Sequence, residues 1–422
     1  MSIKAPRGTY DILPPESFNW HYMERVLTET AELYGYYEIR TPIFEHTELF
    51  TRGVGDTTDI VTKEMYSFTD KSERSLTLRP EATATCARAL IEHSVYGGAM
   101  PVKWYYLGPM FRYDRPQTGR YRQFRQFGVE AFGSDSPYLD AEVIILLIDI
   151  LNRLGLNNYE LHLNSIGCPE CRQIYRDKLV AHISPQADKL CKDCQVRYSK
   201  NPLRVLDCKV ESCHVAIAGY PYIKDYLCDS CKTHYETVKK VLKDNEVNFL
   251  HDDNLVRGLD YYTNTAFEIH IPDIGGQSAI GGGGRYNGLV KACGGPDVPG
   301  VGFALGLERI LLALTKEKEV LADNSYADVF VIAVGEELED MSTKLVSKLR
   351  KNNIKSDKDY AGRSLKAQMK FANRLGAKIA IIIGEDEINN NYFTVRNMNK
   401  GEQSQVANDN IIEHINNILA NS

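Results

Sequence analysis

One strand pattern has an amide, a glycine and a carboxylate at alternate positions, namely Gln126, Gly128 and Glu130. They belong to the second arm of a hairpin pattern at residues 103 to 133, where successive side chains point to opposite faces. The other face of this arm is expected in the core, with Phe127, Val129 and Ala131. A glycine between two polar side chains should leave room for a small molecule held by hydrogen bonds and charge.

The same hairpin concentrates positive charge. Between Lys103 and Arg125 there are six basic residues and one acidic residue, whereas the whole chain has a formal net charge of -6. A basic hairpin in an acidic protein indicates local handling of polyanions, such as nucleotide phosphates or an RNA end. A solvated hairpin with scattered arginines is the alternative, because runs of charge usually face water.

Cysteine is concentrated in one segment. Eight of the ten cysteines lie there, in the patterns CPEC, CKDC, CKVESC and CDSC: Cys168, Cys171, Cys191, Cys194, Cys208, Cys213, Cys228 and Cys231. Three of the four pairs have the two-residue spacing with which both thiolates can bind one tetrahedral zinc ion, so at least one structural zinc is expected. His162, His214 or His234 could substitute as ligands. The alternative is a set of reduced, unligated thiols.

Two further polar residues, Glu81 and Thr83, fall in the first turn of a predicted helix. The segment from Leu76 to Glu81 is typical of a strand that runs into a helix, with Pro80 at the helix entry. A carboxylate there suits the ammonium group of a ligand. It also suits the unpaired N–H groups and the dipole of the helix, so N-terminal capping is the alternative.

Two arginines outside the hairpin stand in further motifs. Arg257 precedes a glycine, and its planar, permanently charged guanidinium suits an α-phosphate. Tyr261 and Tyr262 follow it and supply hydroxyl groups on an aromatic wall. Arg309 lies in a helix pattern with the buried stripe Leu307, Ile310, Leu311 and Leu314.

A run of glycines at residues 279 to 288 differs from the known nucleotide-binding loops. Its glycine spacing is not that of the dinucleotide-binding fold, and it is not followed by a strand, turn and helix unit with an acidic residue about 20 residues on. The chain also has no GxxxxGK[ST] phosphate-binding loop. Consecutive glycines instead let a ligand lie directly on the backbone, because no Cβ stands between them.

Composition indicates an ordinary globular protein. The chain has 422 residues, 43% of them hydrophobic, which is enough for two or three domains with cores of their own. The start has no apolar core of signal-peptide type, and no run approaches the roughly 20 apolar residues of a membrane span. We therefore expect a cytoplasmic protein without a membrane partner, whose cysteines stay reduced or bind metal.

The patterns divide the chain into a core at residues 1–322, with a cysteine-rich domain inserted at about residues 168–250, and a second domain at residues 325–422. The second domain alternates strand and helix patterns, which predicts a small α/β unit with a mostly parallel or mixed sheet. Between Lys344 and Lys378 it carries eleven basic and two acidic residues, and such a basic flank indicates RNA.

These motifs, in this order, resemble the class II aminoacyl-tRNA synthetases. The pattern FR, a basic loop, RQF and a later glutamate, at residues 111 to 130, is similar to their second signature. GVGFALGLER at residues 300 to 309 is similar to the third signature. GYYEIRTPIFE at residues 35 to 45 resembles the first signature, which builds a homodimer interface around a proline, here Pro42.

Several motifs resemble the histidyl family of these enzymes in particular. They are GRYRQF followed by QFGVE, then RGLDYYT at residues 257 to 263, and GRSLKAQMKFANRLGAK, which resembles the anticodon-binding domain of that family. The resemblance covers nearly the whole chain. It implies an α+β fold, with an antiparallel catalytic sheet, the inserted domain folded over the acceptor arm of the tRNA, and a C-terminal α/β anticodon-binding domain.

The resemblance also implies a reaction and its partners. L-histidine would be activated by ATP to histidyl-adenylate and then transferred to the 3′ end of tRNA(His), by a homodimer. Mg²⁺ would bridge the outer phosphates of ATP. The family does not require Zn²⁺ in the inserted domain, so the cysteines alone carry that expectation.

By the same analogy, Arg112 and Arg257 contact the α-phosphate, while Phe124 and Arg309 hold adenine between an aromatic ring and a cation. The residues implied for the amino acid backbone are Glu81, Thr83, Gln126 and Tyr261, and those implied for the imidazole are Glu130 and Tyr262. One departure is Asp114, where many family members carry the longer glutamate.

Two non-catalytic alternatives resemble the same core. The regulatory subunit of ATP phosphoribosyltransferase typically lacks the C-terminal RNA-binding domain and an intact RGLDYY peptide, and this chain has both. A tRNA-sensing module without catalysis would have lost Arg112, Arg257 or Arg309, and all three are present. The sequence therefore favours the enzyme.

Overall fold

The computed structural model describes residues 3–55, 58–206, 208, 210–256, 259, 261–272, 274, 278–317 and 325–420. The chain divides into two compact units, Met1–Leu321 and Ala322–Ser422. Each unit buries a hydrophobic core of its own. Across the described helices, none combines the length and the apolar character that crossing a bilayer requires.

A large, mostly antiparallel sheet forms the centre of the first unit. The strands of this unit are β1 (Tyr37–Glu38), β2 (Phe44–His46), β3 (Tyr66–Thr69), β4 (Ser75–Leu78), β5 (Val102–Phe111), β6 (Gln123–Phe132), β7 (Glu160–Ser165), β8 (Leu250–His251), β9 (Thr263–His270), β10 (Ala279–Arg285) and β11 (Gly300–Gly306). Within the described residues the large sheet has the order β1-β5-β6-β11-β10-β9-β7-β8, and a small sheet has the order β2-β4-β3. In the large sheet only β1 with β5 and β7 with β8 are parallel pairs among these strands.

Helices cover the sheet and build the insertion. They are α1 (Glu16–Leu33), α2 (Thr47–Gly53), α3 (Thr83–Glu92), α4 (Pro137–Leu154), α5 (Pro169–Ile183), α6 (Lys192–Lys200), α7 (Leu203–Leu206), α8 (Glu211–Ala216), α9 (Asp229–Asp244), α10 (Leu289–Ala292) and α11 (Leu307–Glu317). Leu27 of α1 and Leu147 of α4 are fully buried in the main core with Phe127 of β6. The apolar faces of α1 and α4 therefore cover one side of the sheet. Other sheet residues, such as Tyr106 and Phe132, pack in a second hydrophobic cluster with Leu90 of α3.

The predicted hairpin is the pair β5 and β6. Its turn closes where Arg120 N–H donates to the carbonyl of Gln117 at 2.8 Å, and Gly119 in that turn has a φ of +73°, which glycine adopts without strain. The predicted core face is confirmed, since Phe127, Val129 and Ala131 are fully buried. Next to β6 lies β11, with Glu130 opposite Gly302, so the hairpin and the glycine-rich strands share one surface.

The insertion is helical and has a separate hydrophobic cluster. Residues of α5 to α9, together with buried cysteines, make up this cluster, which includes Tyr175, Leu179 and Leu206. The amphipathic helix predicted at Tyr235 to Leu242 is part of α9, whose Val238 and Leu242 pack into the main core instead. Helix α9 thus belongs to the insertion at its start and to the catalytic core further along.

The second unit is a mixed sheet with helices. Its elements are β12 (Val329–Ala333), α12 (Glu339–Lys351), β13 (Ser356–Lys358), α13 (Leu365–Arg374), β14 (Ile379–Ile383), α14 (Glu385–Asn389), β15 (Tyr392–Asn397), β16 (Gln403–Ala407) and α15 (Ile411–Ala420). The order is β13-β12-β14-β15-β16, parallel among the first three and antiparallel beyond β14. The α/β prediction with a mixed sheet is confirmed, but β16 was not predicted, because Val406 is its sole buried residue and leaves no alternating pattern.

Candidate active site

A cavity of about 440 Å³ opens on the polar face of the large sheet. Nine of the ten residues predicted for substrate line it: Glu81, Thr83, Arg112, Phe124, Gln126, Glu130, Tyr261, Tyr262 and Arg309. The tenth, Arg257, lies outside the described residues. Positions as far apart in sequence as Glu81 and Arg309 therefore face the same space.

Glycines of β10 and β11 form the floor of this cavity. Gly281, Gly282 and Gly302 line it, as expected if a ligand is to lie against backbone. At Gly302 the missing side chain has a second role, because a Cβ there would stand 2.2 Å from Oε2 of Glu130. The glycine therefore lets the carboxyl group of Glu130 lie flat against the neighbouring strand.

The expectation that Gly128 leaves room for a small molecule is wrong. A Cβ on Gly128 would stand 2.3 Å from the hydroxyl oxygen of Tyr106, the residue opposite it on β5. The ring of Tyr106 therefore already occupies the space above the glycine. The pattern of β6 alone could not reveal this. The register between β5 and β6 decides which side chain of β5 lies over the glycine.

Glu130 is the most deeply placed acidic group of the cavity, with 1% of its surface exposed. Its Oε1 accepts a hydrogen bond of 2.7 Å from the hydroxyl of Thr83, and its Oε2 accepts one from the hydroxyl of Tyr286. Burial raises the pKa of Glu130 to about 8, although both hydrogen bonds favour the ionised form. The carboxyl group is thus fixed in position, and without a ligand its protonated form is favoured at neutral pH.

Glu81 caps helix α3. Its Oε2 accepts the N–H of Thr83 at 2.7 Å and its Oε1 accepts the N–H of Ala84 at 3.0 Å. Burial raises the pKa of Glu81, and these N–H groups act against that rise. The capping alternative is therefore realised, and it holds the carboxylate rigidly at the edge of the cavity where a ligand ammonium group could also reach it.

Arg112 and Phe124 lie together on the hairpin. The guanidinium carbon of Arg112 is 5.3 Å from the centroid of the Phe124 ring, and its Nε donates to the carbonyl of Pro80 at 2.9 Å. Burial lowers the pKa of Arg112, while the nearby carboxylates of Glu64 and Glu81 oppose that change. The guanidinium remains charged at any physiological pH, so it offers a fixed positive charge inside the cavity.

Arg309 connects the hairpin turn with the glycine strand. Its Nε donates to the carbonyl of Gly119 at 3.4 Å, and its Nη1 donates to the carbonyl of Ala279. Gly119 and Ala279 both line the cavity, so these two carbonyls fix the side chain of Arg309 at the cavity wall. Burial lowers its pKa, and Glu268 on the cavity wall opposes that change.

Sequence reasoning missed several residues of the cavity wall. Tyr286 donates to Glu130 and packs edge-on against Tyr261 with ring centroids 5.8 Å apart, yet no spacing pattern marked it. Glu268 points into the cavity from β9, where the strand alternation could have identified it. Glu308 accepts the N–H of Arg125 at 2.9 Å, and burial raises its pKa to about 7.

The eight clustered cysteines form two groups. The base cluster is Cys168, Cys171, Cys228 and Cys231, and the distal cluster is Cys191, Cys194, Cys208 and Cys213. Within each group the sulfur atoms lie within 4.8 Å of one another, and all ten cysteines of the chain are free of disulfides. The spacing of the cysteines predicted the local pairs. It did not predict that the pair Cys168 and Cys171 would lie beside the pair Cys228 and Cys231.

The sulfur geometry fits a tetrahedral metal. Zn–S bonds of about 2.3 Å put the ligand sulfurs of a tetrahedron about 3.8 Å apart. The Sγ atoms of Cys171 and Cys231 are 3.9 Å apart, as are those of Cys191 and Cys208. A backbone N–H of Cys228 also donates to Cys171 Sγ at 3.1 Å, the type of bond that stabilises a thiolate ligand.

The three histidines named as substitute ligands are engaged elsewhere. His162 contacts Asp252 at 2.9 Å, and His234 contacts Asp140 at 2.8 Å. The ring of His214 bonds to the carbonyl of Cys208 rather than joining the four sulfurs of the distal cluster. Each site is therefore a set of four cysteines.

Comparison with protein families gives two matches along the chain. The histidyl-tRNA synthetase family matches residues 8–172 and 214–310, and an anticodon binding domain matches residues 328–418. A structure described as an ATP phosphoribosyltransferase regulatory subunit/histidyl-tRNA synthetase from Bacillus halodurans covers 91% of this chain and 99% of its own, with a TM-score of 0.67 and 22% identity. That likeness shows the fold alone and does not favour the regulatory subunit.

Full-length relatives are much more similar. The histidine–tRNA ligase of Syntrophomonas wolfei is 61% identical over 99% of both chains, and that of Halothermothrix orenii is 54% identical over 98% of this chain and 99% of its own. The crystal structure of apo histidyl-tRNA synthetase from S. aureus has 44% identity and a TM-score of 0.84, covering 98% of this chain and 100% of that one. These matches confirm the class II fold and the C-terminal anticodon-binding domain, and the chain belongs to the histidyl-tRNA synthetase family.

Proposed function

We propose that the cavity of the first unit is where this histidine–tRNA ligase forms histidyl-adenylate and passes the histidyl group to the 3′ end of tRNA(His). The observation that carries the proposal is the convergence of nine residues from separate motifs on one cavity of about 440 Å³. The carboxyl group of Glu130 and the guanidinium groups of Arg112 and Arg309, all on the lining of the cavity, match a ligand with an imidazole and phosphates.

We assign the imidazole to Glu130 and Tyr262. A ring N–H that donates to the Glu130 carboxylate makes a charge-assisted bond, worth about 1.5–3 kcal/mol. Thr83 and Tyr286 already fix that carboxylate, so no side-chain reorganisation is required when histidine binds. A site of this kind can reject analogues that lack the partner group by about 10⁴.

We assign the amino acid backbone to Glu81, Thr83, Gln126 and Tyr261. Among the described residues, the buried Oε1 of Gln126 has no hydrogen-bond partner, so it is available to accept from the ammonium group of histidine. Each oxygen of Glu81 keeps a lone pair beyond its capping bond. Carboxylate and amide oxygens together suit an ammonium ion and repel the carboxylate end, which orients the substrate.

We assign the nucleotide to Phe124 and Arg309 at adenine and to Arg112 at the α-phosphate, with Arg257 as a second α-phosphate ligand inferred from the sequence. In the first step a carboxylate oxygen of histidine attacks the α-phosphorus, and the bond to pyrophosphate breaks. In the second step a terminal ribose hydroxyl of the tRNA attacks the acyl carbon, and AMP leaves. Protein groups act here by positioning and by charge stabilisation, because neither step needs a covalent enzyme intermediate.

The cavity also suits the Mg²⁺ that the family uses with ATP. Glu64, Asp114 and Glu268 line the wall, and carboxylate oxygens are the ligands that Mg²⁺ prefers. The carboxylate of Asp114 is held by Arg120 at 2.7 Å, so its position on the wall is fixed. The ion, when bound to ATP, neutralises charge on the outer phosphates.

We propose that each cysteine cluster binds one Zn²⁺ ion. Four sulfurs within 4.8 Å of one another form a closed structural site, with no position left for water or substrate. Metal analysis of protein purified without chelator should give two zinc ions per chain. Active enzyme without zinc, in which all eight thiols react, would contradict the assignment.

We propose that the chain forms a homodimer through the surface around β1 and the small sheet. Tyr37 of β1 is 70% exposed and Phe44 of β2 is 53% exposed. Ile43, just before β2, and Phe68 of β3, whose ring centroid is 6.5 Å from that of Phe44, are exposed as well. Large apolar side chains grouped on a surface typically mark an interface. Light scattering should give twice the mass of one chain, and Phe44→Glu should lower that mass.

The second unit and the insertion extend the proposal to the tRNA. The second unit matches an anticodon binding domain, and basic residues of α12 and α13 suit the RNA backbone. We propose that the insertion contacts the acceptor arm and that the enzyme works in the cytoplasm, where tRNA is charged.

The proposed reaction is tested by ATP–pyrophosphate exchange with each of the twenty amino acids. Exchange should depend on histidine and on no other amino acid. A chain that binds ATP but catalyses no exchange with any amino acid would favour a non-catalytic relative instead.

A further inference from the structure

The base cluster lies where the insertion leaves the catalytic core and returns to it. Cys168 immediately precedes helix α5, and Cys228 immediately precedes helix α9. Cys171 and Cys231 follow one turn later, so the four sulfurs join the first turns of two helices that are distant in sequence. A metal at this cluster would fix the two helices relative to each other.

Helix α5 is bonded to the tyrosine segment of the histidine pocket. Nη1 of Arg172, the residue after Cys171, donates to the backbone carbonyl of Tyr262. Tyr262 lines the cavity, and its ring lies 4.7 Å from that of Tyr261. The position of α5 therefore acts on the tyrosine pair through the charged donor of Arg172.

The chain just beyond the tyrosines is bonded to the cluster itself. Asn264 N–H donates to the carbonyl of Gly167, and Ile166 N–H donates to the carbonyl of Asn264, at 2.9 and 2.7 Å. The thiol of Cys231 lies 3.4 Å from Oδ1 of Asn264. Asn264 has a φ of +49°, a conformation that non-glycine residues adopt only where the surroundings hold it.

Helix α9 reaches the opposite wall of the pocket. One turn after Cys231, His234 Nε2 contacts Oδ2 of Asp140 at 2.8 Å. The same carboxylate binds Arg285, which is fully buried and directly precedes Tyr286. Tyr286 in turn donates to Glu130, so both walls of the imidazole site are connected to helices that begin at the base cluster.

We infer that a zinc ion at the base cluster positions Tyr262 and Tyr286 and thereby sets the affinity of the enzyme for histidine. The inference rests on the proposed function of the cavity. The four cysteines are positioning residues, because none of them lines the cavity. Zinc suits this role because its tetrahedral bonds fix directions, whereas four free thiols attract one another only weakly.

The distal cluster contacts a different part of the core. Arg197 of α6 and Arg204 of α7, both in its immediate surroundings, bind Asp59 at 3.1 and 2.7 Å. Asp59 and Arg204 also line the cavity, and Asp59 lies close to Glu64, which in turn lies close to Arg112 on the side assigned to the α-phosphate. The distal cluster is therefore connected to the nucleotide side of the cavity, and its loss is expected to leave the affinity for histidine unchanged.

Serine substitution of one cysteine in each cluster, at the position just before a helix, tests the inference. Cys228 precedes α9 and Cys191 precedes α6, so Cys228→Ser and Cys191→Ser are matched changes at the same helix position, in different clusters. Serine is a good residue at that position, so both helices keep their starts while a zinc ligand is lost. Zinc per chain and the KM for histidine and for ATP are measured in pyrophosphate exchange.

Each variant should lose about one of the two zinc ions. Cys228→Ser should raise the KM for histidine about tenfold, the effect of one lost hydrogen bond from a charged donor. Its KM for ATP and its kcat at saturating histidine should change by less than about threefold on the same scale. Cys191→Ser should leave the KM for histidine unchanged.

A third variant separates the metal from its connection to the pocket. Arg172→Ala should keep both zinc ions and still raise the KM for histidine, and Arg172→Lys, which retains a donor, should restore much of the loss. An unchanged KM in Cys228→Ser despite zinc loss would overturn the inference, as would an equal rise in Cys191→Ser. If the unsubstituted protein shows no histidine-dependent pyrophosphate exchange, the proposed function itself is contradicted. That result is obtained before any cysteine is changed, so it is distinct from a failure of the inference.

Discussion

The hydroxyl of Thr83, in the first turn of helix α3, donates a hydrogen bond of 2.7 Å to the carboxyl group of Glu130 on strand β6. Glu81, two residues earlier, caps the same helix with both of its oxygens. One helix start therefore holds the two carboxyl groups that we assign to opposite ends of histidine. The distance between those groups is fixed by hydrogen bonds to one helix start, which gives the pocket a defined length.

The first prediction concerns the pH dependence of stability. The Glu130 carboxyl group has an ordinary pKa of 4.5, and burial raises it to about 8 in the folded chain. Between these values the folded state binds more protons than the unfolded state, so this group lowers stability as the pH rises. Glu130→Gln removes the ionisation, and without histidine it should gain on the order of 1–3 kcal/mol over the unsubstituted protein between pH 5 and pH 8.

Chemical denaturation of both proteins across that range measures the difference. Other groups with raised pKa values, such as Glu308, contribute equally to both proteins and cancel. Parallel stability curves for the two proteins would show that Glu130 does not change its protonation on folding.

The second prediction concerns histidine recognition. Glu130→Ala should raise the KM for histidine by about 10- to 100-fold, because a charge-assisted hydrogen bond to the imidazole is lost. The KM for ATP should remain within about twofold, since no described contact joins Glu130 to the residues assigned to the nucleotide. Both constants come from pyrophosphate exchange. Unaltered histidine affinity would remove Glu130 from the pocket.

The third prediction concerns the α-phosphate. Arg112→Ala should lower kcat for exchange by about 10² or more, the usual loss when a donor to a developing charge is removed. Arg115, an exposed arginine of the same hairpin outside the cavity, provides the control, and Arg115→Ala should have little effect. Near-normal exchange by Arg112→Ala would refute its assignment. The same test applies to Arg257→Ala, whose role rests on the sequence motif.

The fourth prediction uses the glycine beneath Glu130. Gly302→Ala places a Cβ 2.2 Å from Oε2 of Glu130, so the carboxyl group must move. Stability should fall by about 1–3 kcal/mol, as for overpacking, and the KM for histidine should rise together with it. Gly97→Ala is the control, because a Cβ there meets nothing within 4 Å. A fully active Gly302→Ala protein would mean that the position of Glu130 is not critical.

The sequence predicted what depends on local pattern. The alternation of β6 placed Phe127 in the core and Glu130 in the cavity. This prediction succeeds because a strand has a fixed period of two and a buried face must be apolar. The placement of Arg309 beside the hairpin residues came instead from the resemblance to the class II synthetases. The polar strand β16 has no such face, and its pattern was therefore not detected.

What depends on contacts between distant segments could not be predicted. Cysteine spacing indicated which sulfurs are neighbours in sequence, but the meeting of Cys168 with Cys231 follows from how α5 and α9 pack. The contact of Tyr286 with Glu130 likewise depends on the register of β6, β11 and β10. Such contacts carry much of the site, and they are fixed by tertiary structure.

A stable histidyl-adenylate analogue, in which the bond to phosphate cannot be broken, tests most directly whether the imidazole and nucleotide sites share one cavity. Its dissociation constant is measured by calorimetry, alone and in competition with histidine and with ATP. The arrangement of Glu130, Arg112 and Arg309 around one space predicts that the analogue displaces both substrates and binds at least about 100-fold more tightly than either. An analogue that displaces only one substrate, or that binds no more tightly than histidine, would contradict it.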